Sequence, residues 1–242
     1  MTRLSIIVVD NGRRRFLKKA VASVLRQSLD KDSFEVLVVQ NYQDDNILSW
    51  LKNNNITPIF TNKTNGGALY AEGIKKAQGE IVVFLDDDDM FDVKKLQRIN
   101  ELFQKYDDLG YYHNNFNLIN EQDFQISCDS SPPAQFICKN KYEKFIYARN
   151  IKEKLSTIKM VTKDMPLKDP FTKLAFNSSS IALKRELALK YINALERMNF
   201  AQDHLHFLEA LKSDYSIMHD PSTLTYYRIH NDSFTFKKIK NK

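Results

Sequence analysis

Glycine and proline are scarce in this 242-residue chain, six of each, ~2.5% apiece against the ~7% and ~5% usual in globular proteins. That scarcity excludes collagen-like and low-complexity segments and gives each glycine weight. Cysteine occurs twice, at Cys128 and Cys138, with no CxxC spacing, so a disulfide framework is excluded. The pair reads as reduced thiols of a cytoplasmic protein, with a loop-closing disulfide as the alternative. Long apolar runs are also lacking. The longest cover residues 4–9 and 81–85, far short of the ~20 residues that span a bilayer. The N-terminal run meets Asp10 and then Arg13, Arg14 and Arg15 without a cleavable apolar core, so no signal peptide is expected.

Hydrophobic residues make up 43% of the chain and charged ones 27%, the balance of a globular protein with a sizeable core. The net charge of +6 favours a phosphate-bearing or membrane-surface partner. Short β-branched or apolar runs at 4–9, 34–39, 56–60 and 80–85 alternate with helical periodicities. Those begin at Phe16, at Asp44, at Gly67 and around Val93, Leu96, Ile99 and Phe103. Such βα repetition predicts an α/β fold with a mostly parallel central sheet and helices on both faces. In the second half, strands are expected over 111–119, 179–183, 215–218 and 223–229, and helices over 184–194 and 202–211. An exposed loop is expected over 125–135, a partly helical segment over 140–163 and a basic tail over 236–242. A single domain over 1–242 is expected, with residues 1–112 and 113–235 as its two halves.

Four consecutive carboxylates, Asp86, Asp87, Asp88 and Asp89, follow directly on the apolar run Ile81 to Leu85. Like charges so placed repel one another unless a cation joins them. In open α/β sheets ligands gather at the carboxyl ends of the strands, and carboxylate oxygens suit Mg²⁺ or Mn²⁺ bridged to phosphates. A solvated acidic turn that caps the next helix is the plainer alternative.

These features come in an order that resembles a known family. The strand at 4–9, the helix Phe16-Leu17-Lys18-Lys19-Ala20 to Ser23-Val24-Leu25-Arg26-Gln27, the segment Gly73-Ile74 to Gly79-Glu80, and Phe84-Leu85-Asp86 with Asp88-Asp89 look like the family 2 glycosyltransferases. Gln202-Asp203-His204 and the closing Thr225-Tyr226-Tyr227-Arg228-Ile229-His230-Asn231 extend the likeness. Two departures stand out: Val9-Asp10-Asn11-Gly12 replaces the usual Pro-Thr-Tyr-Asn, and Gln40-Asn41 replaces an acidic pair that reads the nucleobase.

The resemblance implies the GT-A fold and an inverting transfer from a nucleotide-diphospho-sugar to an acceptor hydroxyl. It implies that Asp10, Gln40, Asn41, Gly67, Asp86, Asp87 and Arg228 hold the donor. It further implies that Asp88 and His230 hold Mn²⁺ or Mg²⁺, and that Asp203 is the general base. From position alone Asp203 also suits a helix N-cap, and His230 a loop histidine with a satisfied hydrogen bond. Arg13, Arg14 and Arg15 either face the diphosphate or begin the first helix in solvent. Ser178, Ser179 and Ser180 are candidates for the acceptor side. The implied acceptor is a glycan, a lipid-linked molecule or a protein, with peripheral membrane contact through the Lys237, Lys238, Lys240 and Lys242 tail. The alternatives are a sugar-phosphate nucleotidyltransferase and a basic nucleic-acid-binding protein. No nucleic-acid motif is present, and the acidic cluster would repel a phosphate backbone.

Overall fold

Four βα units in sequence build the first half of the molecule, as the alternation of apolar runs requires. In the computed structural model, which describes residues 4–10, 12, 15–162 and 172–233, the strands are β1 Leu4–Asp10, β2 Phe34–Gln40, β3 Thr57–Phe60, β4 Ile81–Asp86, β5 Met90–Phe91, β6 Leu109–Ile119, β7 Gln125–Ile126, β8 Ile146–Ala148, β9 Ile181–Lys184 and β10 Ser216–Arg228. The helices are α1 Leu17–Leu25, α2 Asp45–Asn53, α3 Gly66–Lys76, α4 Lys95–Lys105, α5 Pro132–Cys138, α6 Ile151–Thr162, α7 Thr172–Ala175, α8 Arg185–Lys190, α9 Ile192–Leu195 and α10 Gln202–Lys212.

One sheet runs in the order β3-β2-β1-β4-β9-β6-β10-β5, with β7 beside β6 and β8 beside β10. The first four strands are mutually parallel. β9 is antiparallel to both β4 and β6, so β6 and its parallel neighbour β10 point the same way as the first four. The largely parallel sheet expected from the βα alternation is therefore present, and strands from both halves of the chain share it.

Both faces are buried, and β1 shows why. Its Ile7 and Val9 enter a core with Leu69, Ala71 and Ile74 of α3 and Phe207 and Ala210 of α10. Ile6 and Val8 enter the opposite core with α1 (Leu17, Val21, Val24), α2 (Ile47, Leu51) and α4 (Leu96, Ile99, Phe103). A strand buried on both faces needs a continuous apolar run rather than an alternating one. Caps mark the helix starts: Asp44 accepts from Asn46 and Ile47 N–H at 3.1 Å, and Asn65 accepts from Ala68 N–H at 2.8 Å.

Three expectations need correction. The segment 125–135 is not all loop, because Pro132 begins α5 and Ser131 caps it, its Oγ accepting from Ala134 N–H at 3.3 Å. Proline is well suited to the first helical turn, where its missing N–H has no partner to lose. Cys128 and Cys138 are joined in a disulfide, not reduced: the turn at 128–130 and the last turn of α5 bring their Cα atoms to 5.9 Å. The strands expected at 215–218 and 223–229 are one strand, β10. Its register slips between Asp220 and Thr223, around Pro221, which has no N–H to give the ladder. Residues 236–242, with the lysines of the basic tail, lie outside the described residues.

Gly67 is fixed by packing. A Cβ there would stand 2.0 Å from the Leu195 carbonyl oxygen and 2.7 Å from that of Met198, both backbone atoms. At Gly66 the one close approach would be to the flexible end of Gln202, with the Asn199 carbonyl oxygen at an ordinary 3.5 Å. Gly67→Ala is therefore expected to lower stability by about 2 kcal/mol or more in urea unfolding, despite alanine's better helix propensity. Gly66→Ala should leave the midpoint nearly unchanged, and equal midpoints for the two variants would refute this account.

Candidate active site

β4 delivers Asp86 at its buried end, and the turn that follows brings Asp88 and Asp89 beside it. One oxygen from each of Asp86, Asp88 and Asp89 falls within 4.8 Å of the others. Burial and the charges of Asp88 and Asp86 push the Asp89 carboxyl well above its ordinary range. Asp89 Oδ2 is buried with no hydrogen-bond partner among the described residues. An all-oxygen donor set with an unpaired buried acceptor fits a hard divalent cation, so this trio could hold a metal. The sequence marked Asp89 only as a member of the acidic run; the turn geometry is what puts it in the trio in place of Asp87. Asp87 is buried nearby without joining the trio, its N–H donating to the Val9 carbonyl at 3.2 Å.

Two buried cations stand behind these acids. Arg228, at the end of β10, donates from Nε to the Asp88 carbonyl and from Nη1 to the Asn120 carbonyl, each at 2.7 Å, and pairs with Asp123. Its backbone N–H donates to Asp89 Oδ1 at 2.9 Å, and its guanidinium lies 4.5 Å from the centre of the Phe16 ring. Arg228 is 1% exposed, and its guanidinium joins the acidic turn at Asp88 to the turn at Asn120 and Asp123. Lys95, wholly buried, donates to the Ser179 carbonyl and to Thr225 Oγ1. Burial pulls its ammonium well below the ordinary lysine range, opposed by the Asp89 charge. His230 is buried on the same side, its Nε2 2.9 Å from Asp88 Oδ2. It touches the trio through that one acid.

The carboxyl ends of β1 and β2 lie alongside. Asp10 and Gln40 are register partners, and Gln40 Nε2 donates to Asp10 Oδ2 at 2.9 Å. Asp10 also accepts from Gly12 N–H at 3.1 Å and from the Tyr42 hydroxyl. Asn41 follows at the strand end, half-buried. Arg15 pairs with Glu121, while Arg13 and Arg14 lie outside the described residues.

Asp203 approaches from the other wall. Helix α10 begins at Gln202 after Ala201, which takes a left-handed conformation (φ 63°, ψ 35°) and occupies the cap position without a side-chain bond. Asp203 is therefore inside the first turn and is not the N-cap. Its Oδ1 accepts from its neighbour His204, from N–H at 2.9 Å and from Nδ1 at 3.0 Å. One turn on, His206 turns inward, stacked on Phe84 with ring centres 4.7 Å apart and 2.7 Å from the Tyr191 hydroxyl. Tyr70 meets Phe84 edge-on and donates its hydroxyl to Asp86. His204 and His206 thus part to opposite sides, as their spacing on a helix predicts.

Between these walls lies a cleft of about 440 Å³ whose lining includes Asp86, Asp88, Tyr70, Ser178 and Asp203. Of the residues named from sequence, the cleft brings together Asp86, Asp88, Asp203 and Ser178. Asp10, Gln40, Asn41, Gly67, Asp87, Arg228 and His230 are not on its wall. Asn177, Asn199, Phe200 and Asp232 are on it and were not foreseen. Each lies just outside a stretch the sequence marked: Asn177 before Ser178, Asn199 and Phe200 before Asp203, and Asp232 after Asn231.

A family model described as glycosyl transferase family 2 matches residues 5–166. A glycosyltransferase of Nostoc sp. is 37% identical over 118 residues, covering 46% of this chain and 36% of its own. One of Mycoplasma genitalium is 32% identical over 113 residues, covering 43% of this chain and 37% of its own. The chain thus matches little more than a third of the length of these relatives. The crystal structure of residues 1–349 of Staphylococcus aureus TarS in complex with UDP-GlcNAc superposes with a TM-score of 0.68 at 15% identity. That likeness covers 96% of this chain and 60% of TarS 1–349, and it establishes the GT-A fold.

Burial lowers the His206 pKa from 6.5 to about 3. The unfolded chain therefore takes up this proton below about pH 6.5 while the native state does not, so stability is full above pH 6.5 and falls as pH drops toward 3. His206→Phe keeps the stack on Phe84 and removes the titration. In urea unfolding between pH 6.5 and 4, the variant should lose stability less steeply than the parent, by about 1 kcal/mol per pH unit. Equal slopes would mean that His206 is not held neutral in the fold.

Proposed function

The chain belongs to glycosyl transferase family 2, and from that premise we propose that it moves a sugar from a nucleotide-diphospho-sugar to an acceptor hydroxyl with inversion at the anomeric carbon. The observation that carries this reading is one cleft lined by both the acids at the end of β4 and Asp203 at the start of α10. Inversion needs a leaving group on one side of the reacting carbon and an activated hydroxyl on the other. The two acidic walls match those two needs.

In this reading Asp203 accepts the proton of the acceptor hydroxyl as its oxygen bonds to the anomeric carbon. The bond from that carbon to the diphosphate breaks, and the nucleoside diphosphate leaves with the electron pair. Its contact with His204 orients the Asp203 carboxylate, and half-burial in the cleft keeps it near bulk solvent for the return of the proton. Asp86, Asp88 and Asp89 would hold Mg²⁺ or Mn²⁺, which when bound supplies positive charge against the diphosphate. Tyr70 holds Asp86 through its hydroxyl, and Arg228 and His230 hold the Asp88 turn. Asp10, Gln40 and Asn41, at the ends of β1 and β2, are the proposed nucleoside side. TarS is seen with UDP-GlcNAc and with UDP, which makes uridine nucleotides the first donors to try.

Two measurements test the reading. Calorimetric titration with UDP should give binding that depends on Mn²⁺, and Asp88→Asn should abolish the metal dependence while the melting curve stays cooperative. UDP binding indifferent to Mn²⁺ in the parent would overturn the metal assignment. Asp203→Asn should bind UDP as the parent does but turn over ~10²–10⁴-fold more slowly. A kcat within a few-fold of the parent would remove Asp203 from the role of base.

A further inference from the structure

The acceptor wall of the cleft has a composition that the transfer reaction alone does not require. Phe200 lines the cleft three residues before Asp203 and is 58% exposed; Phe60, Phe124, Phe136 and Phe145 are also exposed among the described residues, but none of them is on this cleft. It is flanked on the same wall by Asn199 and Gln202. Phe176 and Tyr227, packed on each other with ring centres 5.4 Å apart, line the cleft from two further segments. The left-handed Ala201 places the turn between Phe200 and α10; alanine adopts that conformation at a cost, and strain of this kind collects at functional sites.

We propose that Phe200, with Asn199 and Gln202, forms the acceptor subsite and takes the apolar face of an uncharged sugar ring. This rests on the transferase reading above and extends it to the class of acceptor. One face of a pyranose presents C–H bonds of slightly positive character, which match the electron-rich face of an aromatic ring. Its hydroxyls both donate and accept, as do the carboxamides of Asn199 and Gln202. Phe200 and Asp203, the proposed base, line the same cleft, so a ring seated on Phe200 shares it with that carboxylate. A phosphate-bearing polymer is disfavoured on this wall by the carboxylates of Asp203 and Asp232, which also line the cleft. Phe200 is on this account a positioning residue that acts through ring contact and takes no part in the proton transfer.

The test uses the full chain with UDP and Mn²⁺ present, on a panel of immobilised neutral oligosaccharides and polyol-phosphate polymers. The parent should be retained by neutral glycans, Phe200→Ala should lose at least five- to tenfold in apparent affinity for them, and Phe200→Trp should restore it. UDP affinity, measured separately, should stay within twofold in all three proteins. Retention by the phosphate polymers alone, retention by no glycan, or unchanged affinity in Phe200→Ala would overturn the proposal while UDP binding stands. Loss of UDP binding in the parent itself would instead overturn the transferase reading on which it rests.

Discussion

Three carboxylates crowded at the end of a fully buried strand are the constraint from which the rest of the site follows. Removing charges from water costs several kcal/mol per ion unless partners compensate. Here Arg228 lies buried on one side of the acids and Lys95, whose ammonium is disfavoured by its burial, on the other. Lys95 follows the acids closely in sequence, at the start of α4, whereas Arg228 is far from them. Arg228 arrives at the end of β10, which the sheet order places beside β5, directly after the acidic turn. Its planar fork of donors meets two backbone carbonyls and Asp123 at once. Lysine's single ammonium head could not span those partners. The turn from Asp86 to Asp89 thus has its shape set by a residue about 140 positions away.

The second wall is tied to the first through ring contacts. Phe84 is two residues before Asp86 on β4, and His206 is three residues after Asp203 on α10. Their parallel stack, with Tyr70 across the edge and Tyr191 behind, connects the two acidic positions through apolar matter. Helix α10 is also fixed at its far end, where buried Lys154 donates to the carbonyls of Ala210 and Ser213. A cation there satisfies carbonyls that the helix leaves open. A carboxylate on a helix pinned at both ends is better fixed than one on a loop, which would matter for the proposed base because small displacements of reacting groups are costly in rate.

How much of this was legible in the sequence depends on the distance over which each feature is set. The βα alternation, the buried β4 and the acidic run are local, and the periodicities of 2 and 3.6 report them directly. Asp203 was reachable because it opens an amphipathic helix in a recognisable order. The convergence of Asp89 with Asp86 and Asp88 was not, because it depends on the path of a turn held by Arg228. The disulfide stood only as the alternative to reduced thiols, because only the fold of 128–138 brings the two Cα atoms together. The Pro221 irregularity looked like a strand break because proline removes a ladder hydrogen bond, yet β10 continues past it on its other partners. Phe200 had no periodic context at all, and its significance lies wholly in what faces it.

The two walls also differ in how far the family likeness reaches. The family model covers residues 5–166, which include the acids of β4 and the ends of β1 and β2. The other cleft segments, at 176–178, 199–203 and 227–233, lie beyond it. Yet the fold likeness to TarS 1–349 covers 96% of the chain, so backbone architecture persists where residue matches fade. A physical reason is at hand. Holding a diphosphate near a cation admits few solutions: hard oxygen ligands at a strand end with buried counter-charges behind them. Holding a hydroxyl compound beside a carboxylate admits many, since any surface that presents one oxygen to Asp203 suffices. The helix that carries Asp203 must keep its place against Phe84, whereas the side chains on the turn before it are free to differ. On the proposed function, specificity for the acceptor would reside in that turn, on a frame whose position the donor side sets.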